Sequence, residues 1–142
     1  MSSIQDARRI AYVNARLLDP ATGLDAPGAL LTEGETIADV GPRLFADAPP
    51  ADAIVVDCRG ECLAPGLVDM RVQIGEPGCE HKETIQTAGL AAAAGGVTSL
   101  ACLPNTDPPI DSEAGIEFVA RRAREAKLVK IYPYACVTRG AE

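Results

Sequence analysis

Tryptophan is absent from this chain, and three tyrosines and two phenylalanines are its only aromatic residues. That scarcity, beside abundant alanine, suits closely packed helices on a sheet better than an aromatic-lined binding groove. Histidine occurs once, as His81. Catalytic zinc sites usually take two or three imidazoles, which these residues do not supply. No C-x-x-C is present. The five cysteines, at 58, 62, 79, 102 and 136, are odd in number, and Cys58 and Cys62 have no further pair or nearby histidine. Zinc-binding spacing therefore fails, and buried free thiols in a reducing compartment are expected. Positive charge is in deficit, at 13 Lys and Arg against 20 Asp and Glu, for a net charge of −7. An acidic protein repels phosphate backbones and anionic membranes, so neither nucleic acid nor membrane is an expected partner. No apolar run reaches transmembrane length, and "MSSIQDARRI" has no signal-peptide core, so a cytoplasmic location is expected.

What is present divides by texture. Residues 1–64 are rich in short β runs: "IAYVNARLLD" (10–19), a turn cluster at 20–23, a hairpin pattern at 28–41 around Glu33 and Gly34, and two short runs around Gly60. This spacing predicts strands of a small β-sandwich or barrel-like module. Residues 65–142 alternate differently. "LVDMRVQI" (67–74) predicts a strand, 81–96 a helix ending at Gly-Gly, and 97–104 a strand. Residues 112–127 predict an amphipathic helix with Ile116, Val119, Ala120 and Ala123 on one face, and 128–137 a third strand. Asp111 or Ser112 is placed to cap the second helix, and Glu117 to pair with Arg121. Strand, helix, strand, helix, strand calls for a parallel sheet with right-handed crossovers. Three such strands do not close, so the expected α/β fold is the start of a (β/α)8 TIM barrel, incomplete in this chain. Its third strand would need covering, by a partner or in a homo-oligomer.

In 67–74, strict alternation puts Val68, Met70, Val72 and Ile74 on one face and Leu67, Asp69, Arg71 and Gln73 on the other. In a barrel the apolar set packs on helices. The polar set points inward, toward the end where barrels place active sites. Gly75 and Gly78 follow, free to adopt unusual angles. Asn105, in "CLPNTDPPID", ends the next strand at the level of Gln73. Its amide suits either a small polar ligand or a turn.

The segments "VNARLLDPATG", "LAPGLVDMRV", "EPGCEHKETI" and "AAAAGGVTSLACLPNTDPPID" together resemble the dihydroorotases of the amidohydrolase superfamily, over the N-terminal third of a usual member. The resemblance implies a distorted TIM barrel plus a small β-sandwich. It also implies zinc-dependent, reversible cyclisation of carbamoyl aspartate to dihydroorotate in pyrimidine biosynthesis. Asn105 matches a substrate-contacting asparagine of the family. Two zinc-binding histidines and a substrate-binding arginine of the family stand where this chain has Arg71, Gln73 and Gly75, and His81 is not at a ligand position. Arginine has no free lone pair and stays charged. At about 4 Å and an effective dielectric near 20, it would repel a dication by on the order of 8 kcal/mol before screening. The expectation is accordingly a protein without the family's zinc, with no catalytic residue in this chain. Arg71 would either bind an anion beside Asn105 or pair with an acid from a later strand. The whole would be a non-catalytic pseudoenzyme that serves as a structural partner of aspartate transcarbamoylase. The alternative is an active cyclic amidohydrolase whose ligands lie beyond residue 142.

Overall fold

The computed structural model describes residues 8–141. The chain divides between Pro65 and Gly66 into two compact units.

The first unit is organised on one long strand, β1 (Arg9–Asp19). It pairs antiparallel with β2 (Leu24–Glu33), which pairs antiparallel with β3 (Thr36–Gly41). Its other edge takes β4 (Ile54–Asp57) and then β5 (Cys62–Leu63), both parallel to it. The sheet order is β3-β2-β1-β4, with β5 continuing along β1. The break between β4 and β5 matches a bulge in β1. Between Tyr12 and Ala15, three steps of β1 oppose two of β2. Asn14 takes up the extra residue at φ 54°, a left-handed angle that asparagine tolerates better than most, and its amide donates to Asp57 Oδ1 at 3.0 Å. Ala11, Ala15, Leu17 and Ala29 form the buried face. Arg16 grips Asp25 through two 2.7 Å bonds across the β1–β2 ladder.

The second unit is a three-stranded parallel sheet, β6 (Leu67–Val72), β7 (Val97–Cys102) and β8 (Lys130–Pro133), in that spatial order. Helix α1 (Ile85–Ala94) joins the first two strands and α2 (Glu113–Ala126) the last two. The order is the expected one, with shorter elements. Helix α1 begins at Ile85 rather than 81, because Thr84 and Thr87 form a reciprocal capping box. Ile74, Ile85, Ala88, Ala92, Leu100, Cys102, Ile110, Val119 and Ile131 make one core, joined by Val72, Ile116 and Ala123. At roughly 1.5–3 kcal/mol per fully buried large aliphatic side chain, this cluster is the main favourable term in the unit.

Two local expectations change. Ser112 occupies the N-cap of α2 but makes no side-chain cap bond, and Asp111 instead accepts the Gly140 N–H at 2.8 Å. Glu117 pairs with Arg124 at 2.5 Å, while Arg121 approaches Glu125 and lies 5.9 Å from the Phe118 ring centre. No helix among the described residues is long and apolar enough to cross a membrane.

Candidate functional site

The inward-facing pattern read from β6 holds only in part, because β6 is not a regular strand. Its pairing with β7 steps from Asp69↔Leu100 to Val72↔Cys102, three residues against two. Met70 and Arg71 therefore stand opposite no residue of β7. Asp69 closes this bulge by accepting the Arg71 N–H on Oδ1 at 3.0 Å. A bulge interrupts the two-residue period, so alternation cannot be read through it. Past the bulge, Val72 and Ile74 enter the helix-side core as expected. Val68, before the bulge, and Met70, within it, stay about 60% exposed instead of packing on the helices. Helix α1 packs on β7 and α2 on β8, while β6 lies at the edge of this sheet.

Three loops gather at the C-terminal ends of the three strands and are laced in series. Leu103 N–H donates to Val72 O at 2.8 Å, and Asp107 N–H to Pro77 O at 3.0 Å. Tyr134 N–H donates to Cys102 O at 2.9 Å, and Cys136 N–H to Ile110 O at 2.8 Å. Gly78 lies at φ +99°, and a Cβ there would collide with Asp107 O. The contact between the first two loops thus requires glycine at 78 twice over, by angle and by space. Gly75 keeps an ordinary angle but is also crowded. A Cβ there would lie 2.5 Å from Cys79 O, and Cys79 N–H donates to Gly75 O at 2.6 Å.

Arg71, Gln73 and Asn105 are all exposed at this end of the sheet. The fold brings Arg71 and Asn105 to adjacent strand ends without a direct bond between them. Among the described residues Arg71 has no ion pair. Asn105 makes no turn bond either. Thr106 closes that turn, its hydroxyl donating to Pro108 O at 2.8 Å. His81 is exposed on the first loop. Glu80 accepts the Gly78 N–H at 3.0 Å, and that backbone bond holds its carboxyl below the ordinary range. Burial pushes the Cys102 thiol up, away from reactivity.

The most constrained polar group here was not legible as one. Glu76, in "EPG", is 4% exposed. Its Oε2 accepts the N–H of Ile85, the first residue of α1, at 2.9 Å, and its Oε1 accepts from Arg122 Nε of α2 at 2.6 Å. The hydrogen bond to Glu76 raises the Arg122 pKa above its usual value, ahead of the contribution from Glu125. Helix α1 has no acidic residue in its first turn, so Glu76 brings a negative charge to the helix N-terminus from outside. Tyr134 was also missed: its hydroxyl reaches Met70 O at 3.2 Å.

The sequence model of the family described as Dihydro-orotase-like matches residues 60–142. The dihydroorotase of Ehrlichia chaffeensis (strain ATCC CRL-10679 / Arkansas) is 47% identical over 131 residues, which cover 92% of this chain and 29% of the relative. That of Wolbachia sp. subsp. Brugia malayi (strain TRS) is 48% identical over 135 residues, covering 94% and 30%. The chain thus spans under a third of the length of these curated relatives. Among solved structures, the L-hydantoinase (dihydropyrimidinase) from Arthrobacter aurescens superposes with a TM-score of 0.75 at 22% identity, covering 89% of this chain and 27% of that one. A D-hydantoinase gives 0.68 at 20% identity, covering 94% and 29%. These likenesses show the fold, the opening of a TIM barrel.

They also correct the expectation that zinc is not used. The relatives carry the name of a zinc-dependent family, and most of their length has no counterpart in this chain. Arg71 and Gln73 offer no imidazole, and no group of three or more His, Cys, Asp or Glu among the described residues is arranged to hold a metal. These residues form only part of a barrel mouth. The inference from two replaced side chains to a protein without metal does not stand.

Proposed function

Since the chain belongs to the dihydro-orotase-like family of pyrimidine biosynthesis, we propose that the whole protein is a non-catalytic member that binds a substrate-type carboxylate and acts as a structural partner of aspartate transcarbamoylase. The observation that carries this reading is Gly75. In the family resemblance this position belongs to an arginine that binds substrate. Here the side-chain direction is filled by the Cys79 backbone, 2.5 Å from where a Cβ would sit. No cation can be restored at that point without rebuilding the loop. Carbamoyl aspartate carries two carboxylates. Losing a charge-assisted partner for one of them costs about 1.5–3 kcal/mol of binding, and more if the group is buried unpaired.

Arg71 is the cation that remains at this strand end, and its guanidinium matches a carboxylate. Asn105 adds an amide that both donates and accepts. These two residues are the substrate-binding pair of this reading. Arg71 projects from the bulge, four residues before Gly75, so a carboxylate bound there is displaced from the family's position. Reaction requires the reacting atoms to be within about 3–3.5 Å in the correct alignment, and a shift of about 1 Å can cost a hundredfold. Retained binding with lost turnover follows.

The test uses the intact protein supplied with zinc. It is assayed for dihydroorotate hydrolysis and mixed with aspartate transcarbamoylase from the same source. Expected results are a stable complex by size-exclusion with light scattering, a dependence of transcarbamoylase activity on that complex, and no turnover. A homo-oligomer alone, with transcarbamoylase fully active without it, removes the scaffold role. The second reading is an active dihydroorotase, favoured by the names of the 47–48% identical relatives. Turnover near the typical enzyme value of about 10 per second would establish it.

A further inference from the structure

We propose that Tyr134 is a positioning residue of the barrel mouth, its phenol holding the β6 bulge from which Arg71 projects. The proposal rests on the reading of Arg71 as the carboxylate-binding cation.

Three observations converge. First, the register slip leaves Met70 and Arg71 without partners on β7. A bulge carbonyl that has lost its ladder partner is open to another donor, a side chain or water. Tyr134 O–H supplies it, donating to Met70 O at 3.2 Å. Second, the strand order is β6-β7-β8, and Tyr134 follows β8. A side chain that starts beyond β8 and ends on β6 must pass over β7, since neighbouring strands lie roughly 4.8 Å apart. At the level of the bulge, β7 carries the small Ala101. It is 7% exposed, yet it lies between Leu100 and Cys102, which enter the helix-side core, and is not part of that core itself. Third, the same bulge is held from within by Asp69, which accepts the Arg71 N–H. Asp69 fixes the Arg71 amide and Tyr134 fixes the carbonyl immediately before it. The peptide unit between Met70 and Arg71 is therefore held at both ends, and its orientation sets the direction in which the Arg71 side chain leaves the strand.

The distinguishing variant is Tyr134→Phe, which keeps the ring over β7 and removes only the donor. In the intact, ligand-free protein, hydrogen–deuterium exchange of the amides of residues 69–73 is expected to rise about fivefold, the equivalent of one ordinary hydrogen bond. Exchange in α1 and α2 stays at the wild-type rate. Titration with carbamoyl aspartate is expected to show a fivefold to tenfold weaker Kd for Tyr134→Phe and no measurable binding for Arg71→Ala. Unchanged exchange at 69–73, or a rise shared equally by the helices, overturns the proposal. So does faster local exchange with an unaltered Kd, which reduces Tyr134 to a strut. If the wild-type protein binds no carbamoyl aspartate, the reading of Arg71 fails by itself. Tyr134 is then judged by the exchange pattern alone, with acceleration confined to 69–73 supporting it.

Discussion

Replacing Glu76 tests the joint on which the first mouth loop hangs. The carboxylate is nearly fully buried and holds two elements at once, the N-terminus of α1 through Ile85 N–H and the side of α2 through Arg122. Glu76→Ala leaves the Ile85 N–H without an acceptor in a buried position. A hydrogen bond to a charged group is worth about 1.5–3 kcal/mol, and a carboxylate at a helix N-terminus adds about 0.3–1 kcal/mol. Part of this is returned, because burying a carboxylate carries a desolvation cost that alanine does not. Arg122 is partly exposed and keeps Glu125 at 3.1 Å, so its loss is small by comparison. The net expectation for Glu76→Ala is about 2–3 kcal/mol of destabilisation. Glu76→Gln is milder, about 1–2 kcal/mol: its amide oxygen can accept from Ile85, but its NH2 then faces the Arg122 guanidinium. Urea unfolding of the intact protein gives the magnitude, and hydrogen exchange gives the place, with faster exchange expected at residues 76–90. If Glu76→Ala falls within about 0.5 kcal/mol of wild type and Ile85 exchanges at its normal rate, the bridge is ornamental and the joint does not hold the loop.

Other perturbations have equally definite outcomes. Gly78→Ala, at φ +99° and against Asp107 O, should lower stability by about 1–3 kcal/mol and loosen residues 104–109 in exchange experiments; an unchanged melting curve would contradict the close approach of the two loops. Val119→Ala, on the buried face of α2, should cost about 2–4 kcal/mol by chemical denaturation, against near neutrality for Arg121→Ala on the exposed face. Acid should weaken the N-terminal unit. Asp19, held first by the Thr22 hydroxyl, Asp25, held by Arg16, and Asp57, held by the Arg59 N–H, all titrate below the ordinary aspartate value. Depressed folded values mean that the stabilisation is complete above the unfolded pKa and fades as pH falls through the folded ones. Protection factors of the β1 and β2 amides, their exchange rates taken relative to the intrinsic rate at each pH, should therefore be flat from neutrality to about pH 5 and fall below about pH 4; a fall beginning near pH 6 would point to a different group.

The order of elements in the second unit was legible because two signals agreed. The i, i+3, i+4, i+7 spacing of Ile116, Val119, Ala120 and Ala123 marks α2, and the Gly95-Gly96 stop marks the end of α1. Both are local, and both survive packing. The ends of elements were less legible. Helix α1 starts at Ile85 because Thr84 and Thr87 cap each other, whereas "HKE" carries no sequence mark of lying outside the helix. Ser112 has the right chemistry for a cap yet makes no cap bond, because cap propensity does not dictate side-chain geometry.

The candidate site shows where period-two reasoning fails and why. Asp69, Arg71 and Gln73 form one inward face only if β6 pairs residue for residue with β7. The register shifts twice, between Leu67 and Val68 and between Asp69 and Val72, and nothing in "LVDMRV" announces it, since a bulge depends on which partner strand the chain meets. The same logic applies to zinc. Two replaced side chains on one strand describe that strand, while a metal in a barrel mouth is held by groups from several strands at once. The features that shape this mouth most tightly, Glu76, Gly78 and the Tyr134 bond to Met70, act between segments far apart in sequence. Each joins a loop or strand to one arriving between 9 and 64 residues later. Tertiary coupling of that kind has no periodicity to read. It is carried by residues whose local chemistry is ordinary, a glutamate before a proline and a tyrosine past a strand end, until the fold supplies their partners.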